Sequence, residues 1–387
     1  MTPSSTTMEL QMWPAADQLR TDKVVIVADD LTGACDSGVA FLDGGHPVRV
    51  MLDSTDLESR LHCKGDPEVW AFTTETRDLP PNQASERVAN RVASLESILD
   101  RTLLFKKVDS AARGHLGVEI SAALRCSGAR LALVAPAFPE AGRTVESGVL
   151  TVRDWSGQDG AISLRDLFVH EDENKIEVLP TGSEQQLEQG IARALTKGTH
   201  ILLCGSTTQA DLETLAAAGL HAQHPLLWAG SAGLAHALAG KLPRSTTRAA
   251  AQTVQRHGRT LLFVGTPHPV TNLQVAYLEQ KSVGMDRATH RIPCVEASEQ
   301  EVVDAFAAKP VAALILTGGD TAAFVLRALG ASSIVLAGEI ARGIPWGVIE
   351  GGIADGCMVV TKSGGFGERA ALVHAFEFCE RRSSDPA

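Results

Sequence analysis

Short runs of apolar residues alternate along this chain with longer segments in which apolar residues recur every three or four positions. The short runs predict buried strands, and the longer segments predict helices that cover a sheet. The predicted strands are Lys23–Ala28, Val48–Leu52, Val69–Thr74, Leu103–Val108, Leu131–Ala135, Ile201–Cys204, Leu226–Trp228, Leu261–Val264, Ala313–Leu316, Ile334–Ala337 and Met358–Thr361. The clearest predicted helices are Gln83–Leu99, Glu184–Leu195 and Asn272–Gln280. This alternation is typical of α/β proteins, and we predict open, mostly parallel sheets with helices on both faces.

Residues 241–258 are the best candidate for a domain boundary, because this segment is polar, contains a proline and has no long apolar run. The charge divides at the same place: the net formal charge is −12 over residues 1–240, +4 over the segment and −3 over residues 259–387. A chain of 387 residues also suits two domains better than one. We predict α/β domains over residues 20–240 and 259–382, with an active-site cleft between them.

The composition narrows the possible partners and compartment. A net charge of −11 argues against nucleic acid as the main partner, since proteins that bind it need basic surfaces. The seven cysteines are scattered without a C-x-x-C pair, which favours reduced thiols over a disulfide framework or a zinc ribbon. Residues 1–18 lack the features of a secretion signal, and the uncharged stretch Thr214–Gly240 is interrupted by a His-Pro loop and a glycine turn. We expect a cytoplasmic protein with no membrane partner.

Two adjacent carboxylates, Asp29 and Asp30, directly follow the first predicted strand. In open α/β sheets, ligands bind at the carboxyl ends of the strands. The alternative is that Asp30 or Thr32 only caps the following helix. Because two adjacent aspartates together with Asp36 exceed what a cap needs, the pattern favours a functional site.

Cations gather at the ends of the fourth and fifth predicted strands. The polar residues there are Lys107, Asp109, Ser110, Arg113 and Arg143. Residues 101–150 carry a net charge of +3 inside an acidic domain. Arginine can hold a carboxylate with two hydrogen bonds, and lysine adds a point charge. Although most Lys and Arg residues are ordinary surface charges, this clustering predicts a site for a small anion.

Three glycine-rich turns follow strands in the last third of the chain. They contain Gly265 and Thr266, then Gly318, Gly319, Asp320 and Thr321, and finally Lys362, Gly364 and Gly365. Backbone N–H groups in such turns bind phosphate oxygens without side-chain charge. Each turn alone is as well explained by local geometry, but three of them at strand ends favour a nucleotide.

Several common motifs are absent from the sequence. It has no G-x-x-x-x-G-K-[ST] phosphate loop, no G-x-G-x-x-G dinucleotide fingerprint and no G-x-S-x-G nucleophile elbow. His221 and His224 form an H-x-x-H pair, but beside Pro225 we interpret them as turn residues rather than metal ligands. The missing dinucleotide fingerprint disfavours an oxidoreductase, and the missing secretion signal disfavours a two-domain solute-binding protein. Both alternatives stay open.

Six sequence blocks together resemble the four-carbon acid sugar kinases. They are ADDLTGACDSGVAFLDGG, KKVDSAARGHLGVEI, APAFPEAGRT, WAGSAGLAHALA, TGGDTAAFVLRALG and TKSGGFG, and they run from about residue 24 to 370 in the family's order. The resemblance implies a sugar-acid-binding N-terminal domain that faces an ATP-binding C-terminal domain. It also implies that MgATP phosphorylates the terminal hydroxyl of a small sugar acid, with D-threonate expected first and D-erythronate or 3-oxo-tetronate next. The oligomeric state stays open, a homo-oligomer being one possibility.

The resemblance also implies roles for single residues. The expected sugar-acid site consists of Asp29, Asp30, Lys107, Asp109, Ser110, Arg113 and Arg143. The expected ATP site consists of Gly265, Thr266, Gly318, Gly319, Asp320, Thr321, Lys362, Gly364 and Gly365. We expect Asp29 or Asp30 to accept or orient the hydroxyl proton, without choosing between them. Arg113, Lys107 and Arg143 are expected to bind the sugar acid's carboxylate or the transferring phosphoryl group, while the metal ligands stay unassigned.

Overall fold

A computed structural model of the protein describes residues 23–52, 69–99, 102–154, 156–169, 171–244, 256–281, 288–291 and 298–384. Most of the predicted boundary segment, residues 245–255, lies outside the described residues, as do Cys63 and Cys294. None of the described cysteines forms a disulfide. Within the described ranges, no helix has the length and apolar character needed to cross a bilayer.

The described residues form 17 strands and 11 α-helices. The strands are β1 Lys23–Ala28, β2 Val48–Met51, β3 Val69–Thr73, β4 Thr102–Lys107, β5 Leu131–Ala135, β6 Arg143–Glu146, β7 Val149–Arg153, β8 Asp159–Ser163, β9 Ile176–Leu179, β10 Ile201–Cys204, β11 Leu226–Gly230, β12 Arg259–Val264, β13 Ala288–Arg291, β14 Val311–Thr317, β15 Ser333–Ala341, β16 Ile344–Glu350 and β17 Met358–Lys362. The helices are α1 Leu31–Asp43, α2 Pro81–Ala93, α3 Glu96–Leu99, α4 Leu116–Ser127, α5 Glu184–Lys197, α6 Gln209–Leu220, α7 Ala232–Ala239, α8 Pro269–Lys281, α9 Glu299–Ala307, α10 Gly319–Ala328 and α11 Ala371–Ser384.

Fourteen of these strands form one large sheet, whose order follows the two halves of the chain. The order is β13-β12-β14-β17-β16-β15-β2-β3-β1-β4-β11-β5-β10-β9. We call the described residues up to 244 the first half and those from 256 onward the second half. Within this large sheet, all neighbouring strands of the first half are parallel to each other. In the second half, β13, β12, β14 and β17 are parallel neighbours, while β15 and β16 form an antiparallel hairpin. The predicted, mostly parallel α/β fold is confirmed.

The antiparallel pairing of β2 with β15 joins the two halves. Val50 pairs with Ile334, and Arg49 forms an ion pair with Glu350 at 3.0 Å. The sequence pattern predicts two sheets rather than one, because a pairing between strands so distant in the chain leaves no local mark. Sheet twist of roughly 20–25° per strand accumulates from β14 to β1. It lets the carboxyl ends of both parallel sets reach the same cleft.

A separate three-stranded antiparallel sheet, β6-β7-β8, was not predicted from the sequence. Its strands are short and mostly exposed or half-buried, so they lack the continuous apolar runs that reveal the buried parallel strands. An isolated bridge between Val145 and Ser206 attaches it to the first half. Arg143, one of the residues expected in the sugar-acid site, is the first residue of β6.

The core fixes the strand ends from which the functional side chains project. Val25, Ile26 and Val27 of β1 are fully buried, and the ring edge of Phe41 on α1 packs on Phe105 with centroids 6.5 Å apart. Burial of each large apolar side chain contributes about 1.5–3 kcal/mol. Helix α1 also packs on β15 and α10 of the second half. The loop that precedes α1 is therefore held between the two halves.

Candidate active site

The carboxyl ends of strands from both halves line one cavity. Lys107, Asp109 and Ser110 reach it from the first half, and Ser363 and Phe366 reach it from the second. A second groove, between α2 and α4, is larger but contains none of the side chains predicted to be functional. The first cavity therefore combines the predicted chemistry with the position where α/β sheets bind ligands.

One arginine that the sequence analysis did not select, Arg77, organises the acidic side of the cavity. Its guanidinium contacts Asp29 Oδ2 at 2.8 Å and Asp30 Oδ2 at 2.7 Å. It also lies 3.7 Å from Asp109 Oδ1. All three carboxylates are almost completely buried, so Arg77 supplies much of the charge that permits three acids in one place.

The two adjacent aspartates differ in their surroundings. Asp30 caps α1: its Oδ1 accepts a hydrogen bond from Gly33 N at 2.8 Å, and its Oδ2 accepts one from Thr32 Oγ1 at 2.8 Å. The cap considered in the sequence analysis therefore exists. Asp29 has Oδ2 bound to Arg77, while its Oδ1 is buried without a hydrogen-bond partner among the described groups. Both carboxylate oxygens of Asp30 are therefore hydrogen-bonded, whereas Oδ1 of Asp29 is not.

This difference also separates their protonation. Burial raises the pKa of Asp29, and the neighbouring charge of Asp30 adds to that rise, while Arg77 opposes it. Burial acts on Asp30 too, but Arg77, Lys107 and the capping hydrogen bonds outweigh it and hold the pKa of Asp30 below its usual value. Two neighbouring acids with pKa values pushed apart are typical of a site that handles protons.

Asp109 and Arg113 bind each other directly. Arg113 donates to both carboxylate oxygens of Asp109, from its NH2 at 2.6 Å and from its Nε at 3.0 Å. Despite burial, these hydrogen bonds and the Arg113 charge hold the pKa of Asp109 far below its usual range. The side chain of Arg113 remains 49% exposed. Its two-pronged edge is thus occupied by the protein itself rather than directed to a free anion.

The adjacent lysines of β4 point to opposite faces of the sheet. Lys106 is fully buried and forms a 2.7 Å ion pair with Glu119 of α4, so it stabilises the helix–sheet contact. Lys107 is 5% exposed and lines the cavity. Among the described residues, Lys107 makes neither a hydrogen bond nor an ion pair within 4 Å, although its charge acts on four nearby aspartates.

Arg143 lies at the edge where the two halves meet. Its guanidinium stands 5.8 Å from the centroid of the Phe366 ring, which in turn packs against Phe138 at 6.2 Å. Its NH1 donates to the carbonyl oxygen of Ala141, and its Nε has no described partner. Arg143 therefore reaches the region of the cavity but is held there mainly by an aromatic ring of the second half.

The three glycine turns of the second half come together because β12, β14 and β17 are neighbours in the sheet. A Cβ added to Gly318 would lie 3.2 Å from Thr266 Cβ, and one added to Gly364 would lie 2.6 Å from Thr266 Oγ1. Gly318 has φ = 96°, a backbone conformation that favours glycine. Gly265 directly follows the end of β12 and precedes Thr266, and Thr321 is buried in the first turn of α10. Together the turns form a small cradle of backbone amides beside the start of α10.

The first and second halves touch at this cradle. A Cβ added to Gly319 would collide with the carboxylate of Asp30, so only glycine leaves room there. The carboxyl group of the next residue, Asp320, lies close to that of Asp78 in the first half. Burial, together with the charges of Asp78 and Asp30, raises the pKa of Asp320 to about 6. Carboxyl groups from the two halves thus converge at the entrance of the cradle.

Lys362, the last residue of β17, points into its own loop rather than into the cavity. Its ammonium donates to the carbonyl oxygens of Ser363 at 2.9 Å and Phe366 at 3.1 Å, and to Thr271 Oγ1 at 3.2 Å. The side chain is 1% exposed, and burial lowers its pKa to about 7. Lys362 therefore holds the loop that carries Gly364 and Gly365, whose Cα faces the ring of His268.

Three residues of the site escaped the sequence analysis: Arg77, Asp78 and Phe366. Arg77 and Asp78 follow the end of β3 by a few residues, and the position after a strand was the available signal. Phe366 lies within the quoted block TKSGGFG, between two glycines. In each case a single charged or aromatic loop residue is common on protein surfaces, so the sequence alone offered no reason to select it.

Comparison with known proteins finds an N-terminal and a C-terminal family model, whose matches overlap over residues 202–238. A family model described as a sugar-binding N-terminal domain matches residues 24–238, and one described as a nucleotide-binding C-terminal domain matches residues 202–372. The sequence is 31% identical to a D-threonate kinase of Bordetella bronchiseptica, over 92% of this chain and 97% of the relative. The chain belongs to the four-carbon acid sugar kinase family. This membership makes it a phosphotransferase, and it confirms the family resemblance seen in the motifs.

Other relatives agree with this family assignment, and a solved structure agrees with the fold. A D-threonate kinase of Salmonella typhimurium is 27% identical over 92% of this chain and 98% of the relative. A 3-oxo-tetronate kinase of Pseudomonas savastanoi pv. phaseolicola is 26% identical over 91% and 96% of the two chains. The fold matches that of a solved Haemophilus influenzae protein with a TM-score of 0.65 and 20% identity, over 92% and 99% of the chains. That structural likeness supports the fold alone.

Proposed function

We propose that this family member is an ATP-dependent kinase that phosphorylates the terminal hydroxyl of a four-carbon sugar acid, with D-threonate as the first candidate substrate. The named relatives at 31% and 27% identity, both D-threonate kinases, support this order. D-Erythronate and 3-oxo-tetronate are the next candidates, because relatives at 30% and 26% identity carry those names. The first of these two aligns over 50% of this chain.

We further propose that residues 20–240 bind the sugar acid and that residues 259–382 bind the nucleotide. The strand order of the sheet, in which the strands of each range are contiguous, supports this division. So does the chemistry of the two sides, since charged side chains line the first and backbone amides line the second.

The observation that carries the proposal is the contact between Asp30 and Gly319. It places the buried aspartates of the acid-binding side directly against the turn that would hold the terminal phosphates of ATP. A hydroxyl bound near Asp29 would then lie next to the phosphoryl group, as an in-line displacement requires.

In this mechanism Asp29 accepts the proton of the attacking hydroxyl. Arg77 fixes one oxygen of Asp29, and the other oxygen, Oδ1, is buried without a described partner, so a substrate hydroxyl that reaches it would supply its hydrogen bond. The hydroxyl oxygen forms the new bond to the γ-phosphorus, the bond from that phosphorus to the β-phosphate oxygen breaks, and ADP leaves. Asp30 keeps α1 and Arg77 in place rather than taking the proton, because both its oxygens are already bound.

The turns at Thr266 and Gly364 and the first amides of α10, from Gly319 onward, would hold the phosphates of ATP, whereas the Gly318 amide already donates to Lys362 O at 2.8 Å. Asp78 and Asp320 fit a magnesium ion, because carboxylate oxygens are its preferred ligands and these two carboxyl groups lie close together. When bound, Mg²⁺ would offset the charge of the phosphates. Arg113 and Arg143 contact the cavity residues Asp109 and Phe366 without lining the cavity themselves, and they would add positive charge near the transferring group.

An ADP-release screen over the tetronic acids and their 3-oxo forms tests this function, with mass detection of the phosphorylated product. We expect release of ADP with D-threonate and a product heavier by one phosphoryl group. ADP release that does not depend on any acid, or no release with any of them, would overturn the proposal.

A further inference from the structure

His268 occupies the position directly before the first residue of α8. Its Nδ1 accepts a hydrogen bond from Val270 N at 3.2 Å, so the ring caps the helix in the way that an asparagine side chain does. An imidazole nitrogen that accepts a hydrogen bond carries no proton, and in the neutral ring the proton is then on the other nitrogen. The cap therefore fixes Nε2 of His268 as an N–H donor.

This donor lies against the glycine turn that follows β17. A Cβ added to Gly365 would lie 3.2 Å from Nε2 of His268, and one added to Gly364 would lie 3.1 Å from His268 Cβ. Nε2 itself has no hydrogen-bond partner among the residues that the structure describes. The imidazole thus stands beside the turn with its only N–H unused.

The same turn also has unused backbone donors. Lys362 Nζ, Thr271 Oγ1 and Gln274 Nε2 donate to its carbonyl oxygens from inside the second half, at distances between 2.7 and 3.4 Å. These carbonyl oxygens belong to Ser363, Gly364, Phe366, Gly367 and Glu368. The amides of residues 363–365, in contrast, have no acceptor in the described part of the chain. A ligand that reaches the turn would supply the missing acceptors.

The charges that act on His268 are positive, and they come from both halves of the chain. Burial lowers the pKa of His268, and the charges of Arg113, Lys362 and Arg143 lower it further, so the ring is neutral at physiological pH. Because Arg113 and Arg143 belong to the first half, His268 faces that half across the cleft. The Nε of Arg143 is also buried without a described partner. Cations and unused N–H donors gathered in this way suit an anion with several oxygens, such as a phosphate.

We infer that His268 is a catalytic residue that donates a hydrogen bond from Nε2 to an oxygen of the terminal phosphoryl group of ATP. This inference rests on the proposed function and adds a side chain that the predicted ATP site does not contain. The contact is assigned to the terminal group because His268 faces the arginines of the half that would bind the acceptor. The imidazole keeps its proton, and a donor already held by the fold stabilises the oxygens of the transferring group without having to reorient.

Two substitutions of His268 separate the donor from the helix cap. His268→Asn places an amide oxygen at the level of Nδ1, so it keeps the cap but has no donor at the level of Nε2. It should lower kcat about 10–100-fold, the loss expected for one hydrogen bond to a charged group, at an unchanged melting temperature. His268→Gln carries an amide N–H to the level of Nε2 but does not reproduce the cap. It should recover most of the kcat and melt at a lower temperature, whereas a role in capping alone predicts the opposite order for both quantities.

Calorimetric titration with ADP and with a non-hydrolysable ATP analogue locates the contact on the nucleotide. His268→Asn should bind ADP as the wild type does and should bind the analogue about 10-fold more weakly or worse. Equal weakening for the two nucleotides would overturn the assignment to the terminal phosphoryl group. His221→Asn is the matched control, because this histidine is 64% exposed and lies between α6 and the amino end of β11, at the edge of the sheet opposite to the cavity. It should match the wild type in every measurement.

ADP release by the wild type separates a failure of this inference from a failure of the proposed function. If the wild type releases ADP with a tetronic acid and His268→Asn has the same kcat and the same affinity for the analogue, the role of His268 alone is overturned. If the wild type releases no ADP with any tetronic acid, the proposed function is overturned and the role of His268 with it.

Discussion

The two sides of the cleft use different chemistry for anions. The first half surrounds its part of the cavity with buried charged side chains: Asp29, Asp30 and Asp109 against Arg77 and Lys107. The second half presents backbone turns, and its one buried lysine beside the turns, Lys362, points into its own loop. Side-chain charges can discriminate among hydroxyls and carboxylates, whereas amide cradles suit the constant geometry of phosphates. The difference supports the proposal that the first half selects the sugar acid and that the second half binds the nucleotide.

The largest effect on kcat is expected when Asp29, on the side of the cleft lined by charged side chains, is replaced. Asp29→Asn should lower kcat by about 10²–10⁴-fold, because the amide cannot accept the hydroxyl proton. Nucleotide affinity should be unchanged, since Asp29 has no contact with the glycine turns. Steady-state kinetics and calorimetry with a non-hydrolysable ATP analogue measure the two quantities.

Asp30→Asn is the comparison for this variant. Asparagine can still cap α1. The substitution removes, however, the buried charge that binds Arg77 and whose pKa is held below its usual value, so it should lower the melting temperature more than Asp29→Asn does. An Asp29→Asn enzyme within tenfold of the wild-type kcat would move the proton acceptor elsewhere, and a much slower Asp30→Asn enzyme would then identify Asp30.

The side of the cleft lined by backbone amides can be altered at Gly319 by a substitution that leaves the charge unchanged. Gly319→Ala places a Cβ against the Asp30 carboxylate, so the turn and the aspartate must move apart. Overpacking of this kind costs about 1–3 kcal/mol, and we expect KM for ATP to rise by roughly 5–100-fold, the corresponding range. Gly160→Ala is the control, because a Cβ there meets only Val152 O at 3.9 Å. Equal KM values for the two variants would show that the contact does not matter for nucleotide binding.

Many features of the two sides of the cleft could be predicted from the sequence, and the features that could not be predicted share one cause. The parallel strands were predicted because each is a continuous apolar run, and both the cap and the functional interpretation of Asp30 proved compatible with its geometry. Arg77 was missed because its importance comes from three acids that only the fold assembles. The same holds for the β2–β15 pairing and for Lys362, whose ammonium turns inward to carbonyl oxygens that no local pattern reveals.

Lys362, the buried lysine on the amide side of the cleft, should make the free energy of unfolding depend on pH. Burial lowers its pKa from the ordinary 10.5 to about 7 in the folded protein. Between these values the unfolded chain binds more protons than the folded protein, so the free energy of unfolding rises with pH. From pH 7 to pH 9 the wild type should gain about 2 kcal/mol relative to Lys362→Met. Urea unfolding at both pH values measures this gain, and parallel pH profiles for the two proteins would contradict it; Lys197→Met should retain the wild-type slope.

The smallest effect is expected at the surface contact between the halves. Arg327 of α10 forms a 2.9 Å ion pair with Glu75 of the first half, but the two side chains are 58% and 28% exposed. Exposed pairs contribute about 0–1 kcal/mol and are screened by salt. A double-mutant cycle with Arg327→Gln and Glu75→Gln should therefore give a coupling below about 1 kcal/mol that decreases further in high salt. A larger, salt-resistant coupling would mean that this pair, rather than the β2–β15 pairing and the packing of α1, holds the charged side of the cleft against the amide side.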